Sequence, residues 1–252
     1  MTPHPDPHLE REWHPLSPEE HDAQLNAILT TLAHHKPATV LDLGAGNGRI
    51  AKPLADAGHA VTAADNHPAA LAELTTLKTN NPNLNPLSAD LKEPFPTAIT
   101  STPFDAVLCL GHTFMTITDT LDALALLQRA RTVLKPRGSF IIDDILTDTW
   151  RDIAEGNWAA GTTHHDDQQP NHNHDNDHIQ LVFAEREPIV AFRYADKIDT
   201  ARTTPDEQDQ PLRLYSLGEL RLLAHAAGFS EPAVHHENNT ITFSPAPQPP
   251  AR

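Results

Sequence analysis

The chain has 252 residues, enough for one α/β domain with a sizeable core and an elaboration, and short for two independent domains. Its 18 Lys and Arg stand against 34 Asp and Glu, a formal charge of −16 that repels a phosphate backbone and argues against nucleic acid as a partner. A mean hydropathy of −0.44 with no apolar run near the ~20 residues that span a bilayer argues against a membrane protein, and the single cysteine, Cys109, excludes an internal disulfide. The chain opens without a basic and apolar leader, so the expected compartment is the cytoplasm and the expected partner a neutral or cationic small molecule.

Residues 1–16 form a proline-rich arm, expected to be flexible, with Leu9, Trp13 and Leu16 as its only anchors. Ser17, Pro18 and Glu20 then spell a helix start, and Leu25, Ile28, Leu29 and Leu32 give that helix one apolar face. From Ala38 short β-branched runs alternate with helical segments. Strands are expected over 39–43, 60–64, 84–88, 106–110 and 139–145, and helices over 49–57, 68–78 and 120–134. This rhythm predicts a doubly wound, mostly parallel Rossmann-like α/β core over 17–146. Residues 147–213 read as an inserted substrate lid: a short helix bearing Trp150 and Trp158, a polar loop, and an antiparallel hairpin of 179–184 with 189–194. Residues 214–244 complete the core sheet through a helix ending at Gly228 and a strand pair around Asn238 and Asn239, and 245–252 read as a disordered tail.

The strongest chemical signal is the run from Val40 to Gly48, Val-Leu-Asp-Leu-Gly-Ala-Gly-Asn-Gly, a strand entering a glycine-rich turn that lets a ligand approach the backbone. A dinucleotide fingerprint requires glycine where Arg49 stands, which disfavours a nicotinamide cofactor. With its acid Asp42 ahead of Gly44, Ala45, Gly46 and Gly48, the segment closely resembles the first motif of the class I methyltransferases. These use S-adenosylmethionine (SAM) and release S-adenosylhomocysteine, and the resemblance implies that this loop holds the methionine part of SAM. Asp65 ends the second strand, where a carboxylate can accept both hydroxyls of a ribose, and Asn66 flanks the expected adenine position. The resemblance further implies that Asp90 binds the adenine amino group and that Leu91 lies against the ring; an acid that caps its own turn is the other reading of Asp90.

The carboxyl end of the fourth strand, Cys109 and Leu110, faces the ligand crevice and is expected beside the cofactor, with the thiol itself a core group. No Asn-Pro-Pro-Tyr tetrapeptide or Pro-Cys pair of the DNA-base methylating enzymes follows. Gly111-His112-Thr113-Phe114 instead resembles the Gly-Asn-Ser-Phe segment of methyltransferases acting on glycine and related small amines, with His in place of Asn. His112 is the candidate general base, or a histidine that packs beside SAM through a hydrogen bond. Lys135-Pro136-Arg137-Gly138 resembles the family's turn into its fifth strand, whose end carries Asp143 and Asp144; Asp143 is the candidate to hold an ammonium or polarise a hydroxyl, or else to cap the next turn. The histidines and aspartates of 164–178 have no fixed ligand spacing and read as a solvated loop, so no metal is expected.

SAM carries an activated methyl group, so the protein need only align a nucleophile and exclude water. The expected activity is direct displacement onto an amine or hydroxyl of a small molecule. The alternatives are an RNA or protein methyltransferase and a SAM-binding protein without transfer activity.

Overall fold

The computed structural model describes residues 17–35, 37–143, 163–164, 178–184, 187–195, 204–205 and 211–247. The expected N-terminal arm, the helix with Trp150 and Trp158, nearly all of the histidine-rich tract and the tail from 248 lie outside them. The chain divides into two compact units. One comprises Met1–Phe114, Thr120–Asp144 and Gly218–Arg252, the other Met115–Asp119 and Ile145–Leu217.

The first helix, α1 (Pro18–Leu32), opens on a complete capping box. Ser17 Oγ accepts the Glu20 amide at 3.2 Å and the Glu20 carboxylate accepts the Ser17 amide at 2.8 Å, satisfying two donors that a helix start would leave orphaned. Five strands then follow with intervening helices: β1 (Thr39–Leu43), α2 (Ala51–Asp56), β2 (Ala60–Asp65), α3 (Pro68–Asn80), β3 (Leu84–Ser88), α4 (Thr97–Thr100), β4 (Phe104–Cys109), α5 (Thr120–Val133) and β5 (Leu134–Asp143). After the second unit, α6 (Leu217–Ala227) stops at Gly228 with φ +84°, and β10 (Ala233–His235) returns through Asn239, φ +51°, into β11 (Thr240–Phe243).

The seven-stranded sheet runs β10-β11-β5-β4-β1-β2-β3; β1 to β5 are parallel, β11 is antiparallel to β5, and β10 to β11. The chain moves outward from β1 to β3 and then returns to the other side of β1 as β4. Strand order therefore reverses between β1 and β4, and a doubly wound sheet binds its ligand at the carboxyl ends beside such a reversal.

The fifth strand begins earlier than its sequence suggests. Leu134 pairs with Phe104, the register shifts before Ala106 meets Ser139, and the expected turn Lys135–Gly138 is absorbed as an irregular start of β5. Gly138 makes this possible, since a Cβ there would lie 3.0 Å from the carbonyl oxygens of both Phe104 and Asp105. The same pairing extends β4 back to Phe104.

Val40, Val61, Ala63, Leu84, Ala106, Leu108 and Ile141 bury one sheet face in a core shared with Ile28 and Leu32 of α1, Leu54 of α2 and Leu74 of α3. Strand alternation sends Phe140 to the opposite face. There its ring meets Phe114, Phe229 and Phe243 at centroid distances of 6.2, 6.4 and 5.6 Å, pinning the final strand to the sheet.

The second unit holds a separate antiparallel sheet of β6 (Thr163–His164), β7 (His178–Phe183), β8 (Ile189–Ala195) and β9 (Leu212–Arg213). The expected hairpin is β7–β8. Buried Arg213 donates to the Thr118 carbonyl at 3.2 Å and to Glu187 at 2.9 Å, while the Tyr215 hydroxyl donates to the Ile117 carbonyl. These bonds explain why residues 115–119, distant in sequence, belong to this unit.

Candidate active site

The glycine loop leaves β1 and wraps over the end of β2. Gly44 and Ala45 both donate to the Ala64 carbonyl, at 2.8 and 3.1 Å, and Gly48 closes the turn onto the Ala45 carbonyl at 2.9 Å. Gly44, Gly46 and Gly48 all have positive φ, from +53° to +85°, a region that costs other residues about 1–2 kcal/mol. Gly44 has a second constraint: an added Cβ would fall 2.4 Å from the Thr113 methyl group, so the loop after β1 touches the loop after β4. At Gly46 an added Cβ meets nothing within 4 Å, and the crest of the loop faces open space.

Asp65 ends β2 with each carboxylate oxygen engaged. One accepts the Gly46 amide at 2.9 Å and the other the His67 amide at 2.8 Å, just ahead of α3. Next along the edge, Asn66 donates to Asp90 at 3.3 Å, and Asp90 accepts the Lys92 amide at 2.8 Å. Arg129 of α5 donates to the Leu91 carbonyl and lies 5.5 Å over the Phe95 ring, which braces that turn from behind.

At the sheet's other side Asp143 ends β5. Its carboxylate accepts the Gly111 amide at 3.0 Å and the His112 amide at 3.1 Å. Both residues have positive φ, +69° and +60°, so two successive amides converge on one anion. The buried Gln24 side chain donates to the same carboxylate at 3.2 Å and accepts from Arg49 at 3.1 Å; Arg49 also donates to His21 at 3.1 Å. Sequence reading missed Gln24 and Arg49. The available signal was positional: Gln24 stands four and eight residues before Ile28 and Leu32, a polar side chain on the helix's buried stripe.

Asp42, 3 % exposed beneath the glycine loop, has its pKa pushed up to about 7 by burial; Arg49 opposes this, and the Asp65 and Asp143 charges add to it. Burial also raises the Cys109 thiol well above its ordinary value, with Asp143 and Asp42 reinforcing it, so this fully buried group is not held as a thiolate. Leu110 is buried beside it. Among the described residues no group of three His, Cys, Asp or Glu side chains is placed to hold a metal, and no helix is long and apolar enough to cross a membrane.

Residues 40–138, from β1 through the start of β5, match the model of a methyltransferase domain. That segment is a methyltransferase domain, and the chain resembles the class I SAM-dependent methyltransferases. No curated protein matches it in sequence. Among solved structures it is similar to the CcbJ methyltransferase of Streptomyces caelestis, at 17% identity over 94% of this chain and 93% of that one, with a TM-score of 0.67. It is also similar to the sugar N-methyltransferase KedS8 of Streptoalloteichus sp., at 16% over 91% and 88%, TM-score 0.60. A third is SAM-bound CalS10, an amino pentose methyltransferase of Micromonospora echinaspora, at 16% over 90% and 92%, TM-score 0.57. These likenesses show the fold.

The residues around the glycine loop fit SAM. The open crest at Gly46 admits a ligand against the backbone, and Asp65 stands at the loop's edge with further lone pairs for hydroxyl groups. Around Asp42 the carboxylates of Asp65 and Asp143 outnumber the one guanidinium of Arg49, a field that suits a cofactor bearing a sulfonium and an ammonium rather than a pyrophosphate.

Proposed function

We propose that this methyltransferase transfers the methyl group of SAM to an amine of a small molecule. The observation that carries the reading is the loop Gly111–Thr113. It leaves β4 at the strand-order reversal, touches Gly44 of the cofactor loop through Thr113, and presents His112 in a backbone conformation fixed by Asp143. In this reading Gly44, Ala45, Gly46 and Gly48 flank the methionine part of SAM, with Asp42 beneath; Asp65 takes the ribose; Asn66, Asp90 and Leu91 border the adenine; Cys109 and Leu110 floor the crevice.

SAM supplies an electrophilic methyl group when bound. His112 takes the proton that an acceptor ammonium must lose before its nitrogen lone pair can attack, or that a hydroxyl loses as it attacks, and Asp143, with both oxygens already bonded to loop amides, acts as a positioning residue rather than an acid or base. The formal charge of −16 favours a cationic amine over an anionic acceptor. KedS8 and CalS10, whose names specify a sugar N-methyltransferase and an amino pentose methyltransferase, support the same class. Acceptor choice is assigned to the unit carrying β6–β9, whose strands lie outside the matched 40–138.

The test uses matched pairs of small acceptors, each an amino compound and its hydroxyl counterpart, with methyl-labelled SAM. Label on nitrogen with one S-adenosylhomocysteine released per methyl is expected; transfer only to the hydroxyl partners would overturn the amine assignment.

A further inference from the structure

Helix α1 precedes the matched methyltransferase domain, yet it carries a buried polar side chain into the centre of the site. Gln24 is fully buried, and its amide is used at both ends: the oxygen accepts from Arg49 at 3.1 Å and the nitrogen donates to Asp143 at 3.2 Å. Few side chains can do this. A guanidinium demands an acceptor and a carboxylate a donor, and the amide supplies each from the correct end. Glutamate in its place would set a second carboxylate against Asp143, methionine would leave both half-buried partners short of a bond, and asparagine is one methylene too short.

Asp143 holds the Gly111 and His112 amides at 3.0 and 3.1 Å, and His112 stays at φ +60°, a conformation that side-chain-bearing residues adopt only when their surroundings impose it. Arg49 in turn stands at the end of the glycine loop and is steadied by His21 on the same helix. One buried amide thus joins the cofactor loop, the end of β5 and the loop after β4.

We propose that Gln24 is a positioning residue for methyl transfer: its amide, oriented by Arg49, holds Asp143 against the Gly111–His112 backbone and so fixes the loop that carries the candidate base. The inference rests on the proposed role of His112 at the acceptor side.

The test does not need the acceptor. Backbone amide exchange is measured by NMR on the full chain saturated with S-adenosylhomocysteine, for wild type, Gln24→Met and Gln24→Glu, with Asp143→Asn as the reference. Exchange at Gly111 and His112 is expected to rise about tenfold or more in both Gln24 variants, while Val107 and Leu108 of β4 keep their rates. Unchanged exchange at 111 and 112, or acceleration spread evenly over the sheet, would overturn the proposal. Gln24→Glu retains a polar partner for Arg49, which keeps the test open should Gln24→Met fail to fold. Once an amine acceptor is in hand, both variants are expected to lower kcat about tenfold with little change in KM for SAM. Failure to methylate any amine would sink the functional reading and leave the exchange result standing.

Discussion

His112 at φ +60° is a histidine in a place that favours glycine or asparagine, and the cost of about 1–2 kcal/mol is offset by the charge-assisted bond that its amide donates to Asp143. Asparagine tolerates that conformation but has no titrating ring. His112→Asn is therefore expected to keep the fold and the affinity for S-adenosylhomocysteine within about threefold while methyl transfer falls roughly 100-fold or more, as read by kcat against cofactor Kd. An unchanged kcat would remove the histidine from proton transfer. Asp42 makes a second residue-scale prediction. Its pKa rises from 3.8 to about 7 on folding, so between those values the native state holds a proton that the unfolded chain has released. Its contribution is fully favourable below the unfolded value and is lost as pH climbs to about 7. Asp42→Asn should remove this slope, gaining stability relative to wild type between pH 4 and 7 in denaturant titrations. Because a bound cation favours the ionised form, SAM affinity should strengthen from pH 5.5 to 7.5 in wild type and lose that dependence in the variant.

At the scale of elements, the contact between the loops after β1 and β4 is a single close approach. Gly44→Ala places a methyl group 2.4 Å from the Thr113 methyl and strains φ +69°, so it is expected to cost about 2 kcal/mol or more and to abolish SAM binding. Thr113→Ala in the same chain should recover part of the stability, which thermal unfolding of the single and double variants would read. Removing the cap by Ser17→Ala should cost about 1 kcal/mol and loosen the helix that carries Gln24. These elements also show how much the sequence disclosed. β1 falls where its β-branched and apolar run places it, β3 holds its expected bounds with Pro86 tolerated on an edge strand, and the cap of α1 was legible because Ser17 and Glu20 interact over three residues. The start of β5 was not, because Lys-Pro-Arg-Gly has turn chemistry and only its pairing with distant Phe104 keeps it in the sheet. Gln24 was hidden for a related reason: its partners stand 25 and 119 residues away, and its place on the buried stripe of α1 marks it as buried without saying what it bonds.

For the molecule as a whole, the parallel strands, the reversal between β1 and β4 and the glycine loop place one end of the sheet under a negative field. That arrangement serves a cationic cofactor, and the charge of −16 extends the same preference to what approaches it. The most direct measurement incubates the full chain with methyl-labelled SAM and a cell extract divided into small molecules and macromolecules. Label is expected to pass into a basic, amine-bearing compound of the small-molecule fraction with an equal amount of S-adenosylhomocysteine. Label entering RNA or protein instead, or tight SAM binding with no transfer to either fraction, would contradict the account.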